Sequence, residues 1–366
     1  MNIDSLVVIS WLLATVLLSW ILPKKWQIPS GIVSTVAFLA YFDFLSALIL
    51  ISFAWLAYFL PKTFSLKLNI LFLCIMIIVL VFTGFKLGNT YDAEFMIPLG
   101  LSFYSFRVIH YLIEGYKEKL PQHTFLDVLA YLFFLPTLIV GPINRFMQFK
   151  RDIEIRSFAE VNLSYSFERI LYGYTKIIVL GNYLISHKLS LYLLEIEQSS
   201  PWLYSYLHSV QYWLNLYFQF SGYADIAIGF SALMGFKIME NFHYPFLAVN
   251  ISAFWLRWHI SLSSWIKDYI YAPLAASTRN RFLSLFIAMI AFGLWHELSI
   301  NYILFGIYHA LGITVWHQFQ NIKRHNRRLQ ILFDMKIFVL FSWFLTINFV
   351  MMSFEIRSFI LHFFGF

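Results

Sequence analysis

Apolar runs close to the ~20 residues that a helix needs to cross a bilayer recur along almost the whole chain, and they leave it few folds to adopt. Residues 5–22, 65–85, 167–184 and 331–352 each read as one span. About 25% of the residues in a soluble domain are charged; here the figure is 12%, with 60% hydrophobic and a mean hydropathy of +0.70. The expected class is an all-α polytopic membrane protein, with room for roughly ten transmembrane segments, some of them short or re-entrant. Residues 1–366 read as a single integral membrane domain, without internal repeat, Gly/Ser linker or soluble portion.

The remaining stretches give finer expectations. The first run follows Asp4 rather than a basic region, and no small-residue cleavage site precedes Pro23, so it reads as a first helix and not a removed signal. Residues 30–60 exceed one span and are interrupted by Asp43, which suggests a short helix and then a full one. Residues 125–143 read as a helix stopping near the membrane surface at its prolines and glycine. Residues 203–236 form a long aromatic stretch in which Gly222, Gly229 and Gly235 allow close helix approach. Residues 282–295 and 302–316 read as a hairpin entering from the cytoplasm, its tip carrying His296 and Glu297 into the membrane. The aromatic tail to Phe366 is expected at the interface.

The formal charge is +7, but the basic residues are scattered between apolar runs. Positive cytoplasmic loops explain this better than nucleic acid does. Lys323, Arg324, Arg327 and Arg328 form one such loop, Arg145, Lys150, Arg151 and Arg156 another, and Arg279 and Arg281 join them. Lys24 and Lys25 are expected on the same side, which puts the N-terminus outside. The lone cysteine, Cys74, permits neither an internal disulfide nor a Cys-based metal cluster.

Polar groups inside apolar runs need a reason, because charge in hydrocarbon is costly. Arg107, His110 and Glu114 are spaced to share one helix face, where a structural role joining helices is favoured over direct chemistry. Asp225 is expected to face a partner or a cavity. Residues 254–274, FWLRWHISLSSWIKDYIYAPL, concentrate most polarity. Wound as one helix, they set Trp255, Trp258, Leu262, Trp265 and Tyr269 on one side and Arg257, Ser261, Ser264 and Asp268 on the other, with His259 at the border. The tryptophans suit an interfacial anchor; His259 is left over.

Among eleven histidines, His296 follows Gly293-Leu294-Trp295 between two apolar stretches. An imidazole so held can take a proton from a hydroxyl near neutral pH and let it attack an ester or thioester carbonyl, although a histidine bonded to a nearby carbonyl is the plainer reading of the residue alone. His296-Glu297 does not open an HExxH zinc site, since Ile300 stands where the second histidine belongs. Neither a GxSxG elbow nor a phosphate-binding loop is present. His309 lies thirteen residues beyond His296, near the far end of the next helix, so no shared metal site is expected.

Taken together, PLGLSFYSF, FLPTLIVGPINRF, LYFQFSGYADIAIGFSALMGFKIMENFHYPF, FWLRWHISLSSWIKDYIYAPL and GLWHELSINYILFGIYHALG, in that order over residues 95–320, resemble the bacterial branch of the membrane-bound O-acyltransferase family. That branch includes alginate O-acetylases, peptidoglycan O-acetyltransferases and the D-alanyl transferase of teichoic acids. The resemblance implies a ring of membrane helices around a funnel or tunnel in the bacterial cytoplasmic membrane. It implies catalytic roles for His296, in GLWH, and His259, in RWHIS. Arg257, Trp258 and Ser261 of the same motif, Asp225 of FSGYAD and His309 are implied as supporting residues. It further implies an acyl thioester co-substrate such as acetyl-CoA, or an acyl carrier protein, with no tightly bound cofactor. The acceptor would be an extracytoplasmic hydroxyl on a polysaccharide or on an esterase-like partner transferase. The family pattern commonly continues GLWHG, whereas Glu297 follows here; a glutamate could orient the imidazole or narrow the site. Outside this class, a glycan or lipid transporter would also place charges in the membrane, but such proteins often carry repeats. A scaffold of a polysaccharide assembly complex would not need polar residues within its helices.

Overall fold

A computed structural model describes residues 6–64, 67–92 and 95–354, and among them the regular structure is helical, with no strand. Four helices are long and apolar enough to cross a membrane, Phe44–Phe64, Leu68–Tyr91, Leu163–Glu197 and Lys336–Phe354; Leu6–Ile21 and Arg281–His296 are apolar but shorter. The all-α membrane class is the one expected, while length and hydropathy alone qualify four crossings among the described residues rather than roughly ten. The aromatic tail lies outside the described residues. The chain forms two compact units, Met1–Thr175 with Gly222–Met239, and Lys176–Ser221 with Glu240–Phe366.

In the first unit, α1 (Leu6–Ile21) packs on α2 (Lys24–Phe42), which is followed by α3 (Phe44–Phe64). Residues 30–60 are thus parts of two helices of 19 and 21 residues, not a short one and a full one, because α2 already begins at Lys24. Asp43 divides them: its carboxylate accepts the backbone N–H groups of Leu45 at 3.1 Å and Leu99 at 3.2 Å, which caps α3 and ties it to the segment before α5. After α4 (Leu68–Tyr91) comes α5 (Leu101–Tyr116), whose Arg107, His110 and Glu114 are all buried. α6 (Phe125–Leu132), fixed by a Thr124–Asp127 capping box, lasts eight residues. Residues 125–143 therefore do not continue as one helix. The carbonyls released by this early end are met by Arg107, which donates to Tyr131 O at 3.3 Å and also to Thr137 O and Oγ1. His110 Nε2 accepts the Phe146 N–H at 3.0 Å. These two members of the polar face join segments.

The basic stretch 145–156 is mostly a helix, α7 (Phe146–Ile155), rather than a loop. Lys150 pairs with Asp127 at 3.1 Å and Glu154 at 3.3 Å. Arg156 stacks 4.3 Å over Trp20 and donates to Ser19 O at 2.6 Å. α8 (Leu163–Tyr174) runs through an i→i+5-bonded stretch, Thr175–Leu189, into α9 (Ser190–Ser199), and α10 (Pro201–Leu233) follows. Gly229 does permit close approach, since a Cβ there would lie 2.8 Å from Ser166 O of α8. Gly235 instead ends a helix. With its φ at +80° it closes α10, where the Phe236 N–H returns to Ser231 O at 2.9 Å.

The second unit holds α11 (Ile251–Trp255), α12 (Ile260–Ile266), α13 (Ala272–Thr278), α14 (Arg281–His296), α15 (Ile300–His325), α16 (Arg327–Asp334) and α17 (Lys336–Met351). The last apolar helix begins at Lys336, not 331, because Met335 interrupts the run after the amphipathic α16.

Candidate active site

Residues 254–274 are not one helix. α11 ends at Trp255, His259 adopts the left-handed region at φ +44°, ψ +52°, and α12 starts at Ile260, continues through an i→i+5-bonded turn, Lys267–Tyr271, and passes into α13. The loop before α11 imposes the break. Arg257 O accepts the His243 N–H at 3.0 Å, and Asn241 O accepts the Ile260 N–H at 2.9 Å, so the chain is pinned on both sides of His259. With the helix broken, its proposed faces dissolve. Trp255, Trp258 and Trp265 are 7%, 4% and 4% exposed and are core residues, so the anchor reading fails for all three. Trp258 packs 5.0 Å from Trp213 and 5.5 Å from Phe254, between ring centres.

His259 is fully buried, with 0% of its surface exposed. Its Nδ1 lies 3.1 Å from Asn241 Oδ1, which also accepts from the Ser261 N–H at 3.1 Å and the Ser261 hydroxyl at 2.8 Å. Ser261 therefore serves the pocket around His259. Nε2 of His259 has no hydrogen-bond partner among the described residues. Asn241 was not a candidate from sequence; a neutral amide in a loop eighteen residues before His259 carries no local signal of such a role.

His296 ends α14, and the hairpin expected from sequence is observed: α14 and α15 pack against each other across a short turn. Two glycines let them meet. A Cβ on Gly293 would fall 2.1 Å from Tyr302 O, and one on Gly306 would fall 2.5 Å from Met289 O. The His296 ring is exposed and lies against Trp295, Phe292 and Tyr302, with centroids 4.4, 5.2 and 5.7 Å away. Trp295 and Phe292 also touch His259, at 5.7 and 6.4 Å. The two histidines thus share an aromatic wall, one ring sealed behind it and one open in front.

The other candidates separate. His309 is buried in the third turn of α15, not near its end, because that helix runs on to His325. It meets Trp255 at 5.0 Å, and Trp255 meets Phe292 at 4.8 Å, so it joins the same aromatic cluster from behind. Glu297 caps the end of α14 and is exposed; its carboxylate makes no hydrogen bond or ion pair among the described residues, and so does not orient His296. The Arg257 side chain is half-buried and likewise makes no polar contact among them. Asp225 belongs to the first unit, where its buried carboxylate forms an ion pair with the half-buried Arg169. Asp225→Asn would remove the charge that faces that guanidinium, at an expected cost of about 1.5–3 kcal/mol. Thermal unfolding in detergent should show the loss, with turnover per folded molecule unchanged.

A buried imidazole beside an accessible one, against aromatic rings at the end of an apolar helix, suits proton transfer to or from a hydroxyl. The chain is also similar to known proteins. The model of the membrane-bound O-acyltransferase family matches residues 5–361. A probable alginate O-acetylase of Pseudomonas aeruginosa is 32% identical over 239 residues, 64% of this chain and 45% of that protein. The teichoic acid D-alanyltransferase of Bacillus subtilis is 31% identical over 277 residues, 71% of this chain and 68% of that one. A peptidoglycan O-acetyltransferase of Helicobacter pylori is 25% identical over 292 residues, 70% of this chain and 53% of the relative. The chain spans about half the length of the alginate O-acetylases it matches.

Proposed function

Because the chain belongs to the membrane-bound O-acyltransferase family, we propose that it moves an acyl group, acetyl in the first instance, from a cytoplasmic thioester to an extracytoplasmic hydroxyl in the bacterial cytoplasmic membrane. The observation that carries this reading is the pair of histidines on one aromatic wall, His296 at the tip of the α14–α15 hairpin and His259 behind it. His296 acts as general base: it takes the proton of the acceptor hydroxyl as that oxygen attacks the thioester carbonyl. The C–O bond forms, the C–S bond breaks, and the imidazolium returns the proton to the departing thiolate. His259 supports the proton's movement from its sealed position.

The length of α14 supports a long-armed donor. Arg281 opens this 16-residue helix and His296 closes it, about 22 Å apart along the axis. Arg279 and Arg281 are exposed and make no ion pair among the described residues, whereas Lys150 and Arg156 are already engaged. In acetyl-CoA, or in a phosphopantetheine-bearing carrier protein, an extended arm separates anionic phosphate from thioester. Phosphate at Arg279 and Arg281 would leave the thioester to reach His296 inside a bilayer whose hydrocarbon core is about 30 Å thick. The acceptor is a cell-surface polysaccharide or a partner transferase that relays the acyl group. D-alanyl transfer to teichoic acid uses the same chemistry and is the second reading, favoured by the B. subtilis relative, of which the chain covers 68%.

Mass spectrometry of surface glycans from cells fed labelled acetate, with and without this protein, tests the proposal. Labelled acetyl esters should disappear with the protein. Labelled D-alanyl esters disappearing instead would select the second reading. Unchanged esters, with proteoliposomes that move an unmodified substrate and consume no thioester, would select a transporter.

A further inference from the structure

We infer that Asn241 sets the tautomer of His259 and so decides which ring nitrogen can accept a proton. The inference rests on the reading of His259 as part of the reacting site. Asn241 is fully buried, 0% exposed, in the loop between α10 and α11. An amide side chain can often be turned either way, oxygen and nitrogen exchanging places. Here the backbone removes that freedom. The Ser261 N–H, 3.1 Å away, can only donate, so the amide atom facing it is the oxygen. That oxygen has no proton to give, so the hydrogen joining it to His259 at 3.1 Å is carried by Nδ1. A neutral imidazole protonated at Nδ1 has its lone pair at Nε2. This is the nitrogen without a partner among the described residues, on a ring walled by Phe220 at 4.6 Å and Trp295 at 5.7 Å.

The left-handed backbone at His259 belongs to the same device. It turns the His259 ring and the Ser261 N–H toward one acceptor, while Asn241 O holds the Ile260 N–H and keeps the amide in register. Without the Asn241 oxygen, Nδ1 loses its partner, and the proton can settle on either nitrogen. Asn241 touches no reacting atom. It is a positioning residue that acts through His259, as a carboxylate or carbonyl does behind many catalytic imidazoles.

The test uses the full chain in lipid vesicles, with ¹⁵N-labelled histidine, and two substitutions. Asn241→Asp keeps an acceptor oxygen; Asn241→Leu keeps the bulk and removes it. The His259 signals are assigned by their loss in His259→Gln. Wild type and Asn241→Asp should show protonated Nδ1 and bare Nε2, whereas Asn241→Leu should show both tautomers. With an acetyl thioester donor, kcat should fall about tenfold or more in Asn241→Leu with KM for the donor unchanged, and stay within about threefold in Asn241→Asp. A wild-type ring protonated at Nε2, or an Asn241→Leu protein with wild-type spectrum and turnover, overturns the inference. If the leucine variant does not accumulate, the wild-type and Asn241→Asp spectra decide: bare Nε2 in both upholds it, and protonated Nε2 in either overturns it. Wild-type turnover by His259→Gln would sink the site reading for His259 and leave the tautomer assignment standing.

Discussion

His296→Ala, inserted and folded at the wild-type level, should lose acyl transfer by about 10²–10⁴-fold, the contribution of a positioned general base. The location of the residue makes this a clean experiment. The His296 ring is exposed and closes a helix, so its removal opens no cavity in the core. α14 and α15 are held together deeper in the hairpin, where Gly293 faces Tyr302 O and Gly306 faces Met289 O. Circular dichroism and detergent melting should therefore match wild type while labelled acetyl transfer from the thioester collapses. A variant that transfers at the original rate would remove His296 from the chemistry, whatever its family position. Glu297→Gly offers a useful companion. Since Glu297 makes no bond to His296 among the described residues, this change should alter turnover far less than loss of the ring does.

His259→Asn should lower turnover by about 10²-fold and leave the protein folded, and the choice of asparagine is physical. His259 sits at φ +44°, a region that costs ordinary L-residues roughly 1–2 kcal/mol and that asparagine tolerates. An alanine there would confound loss of the imidazole with strain and with a cavity between Phe220 and Trp295. A β-branched residue would be worse on both counts, so His259→Val should lose stability as well as activity. The two substitutions together separate the roles. If His259→Asn melts and turns over like wild type, the ring is packing and nothing more. If it melts like wild type and turns over poorly, the strained backbone at this position exists to hold an imidazole.

How much of this was legible in the residues differs from element to element. The hairpin around His296 was readable because two apolar stretches flank a polar pair; the close approach at Gly293 and Gly306 came only with the structure. The boundary at Asp43 was visible as a charge inside an apolar run, but the helix lengths around it were not, since a 19-residue α2 starting at Lys24 absorbs a proline at 29 without ending. The tryptophans of residues 254–274 misled because the spacing was read as continuous helix. Spacing carries no record of backbone bonds to a loop fourteen to nineteen residues upstream.

Composition and the succession of apolar runs determined the all-helical membrane class, because hydrocarbon leaves the backbone no other partner than itself. Ordered motifs determined the family, and polarity within apolar helices singled out His296 and His259. Only the tertiary structure decided that Trp255, Trp258 and Trp265 are core, that Asp225 holds Arg169, and that Asn241 stands behind His259. The reason is common to all three: burial and hydrogen bonding join residues by distance in space. At His259 the deciding bonds come from Asn241 and His243, in a loop that the sequence marks by its motif but not by any contact with His259.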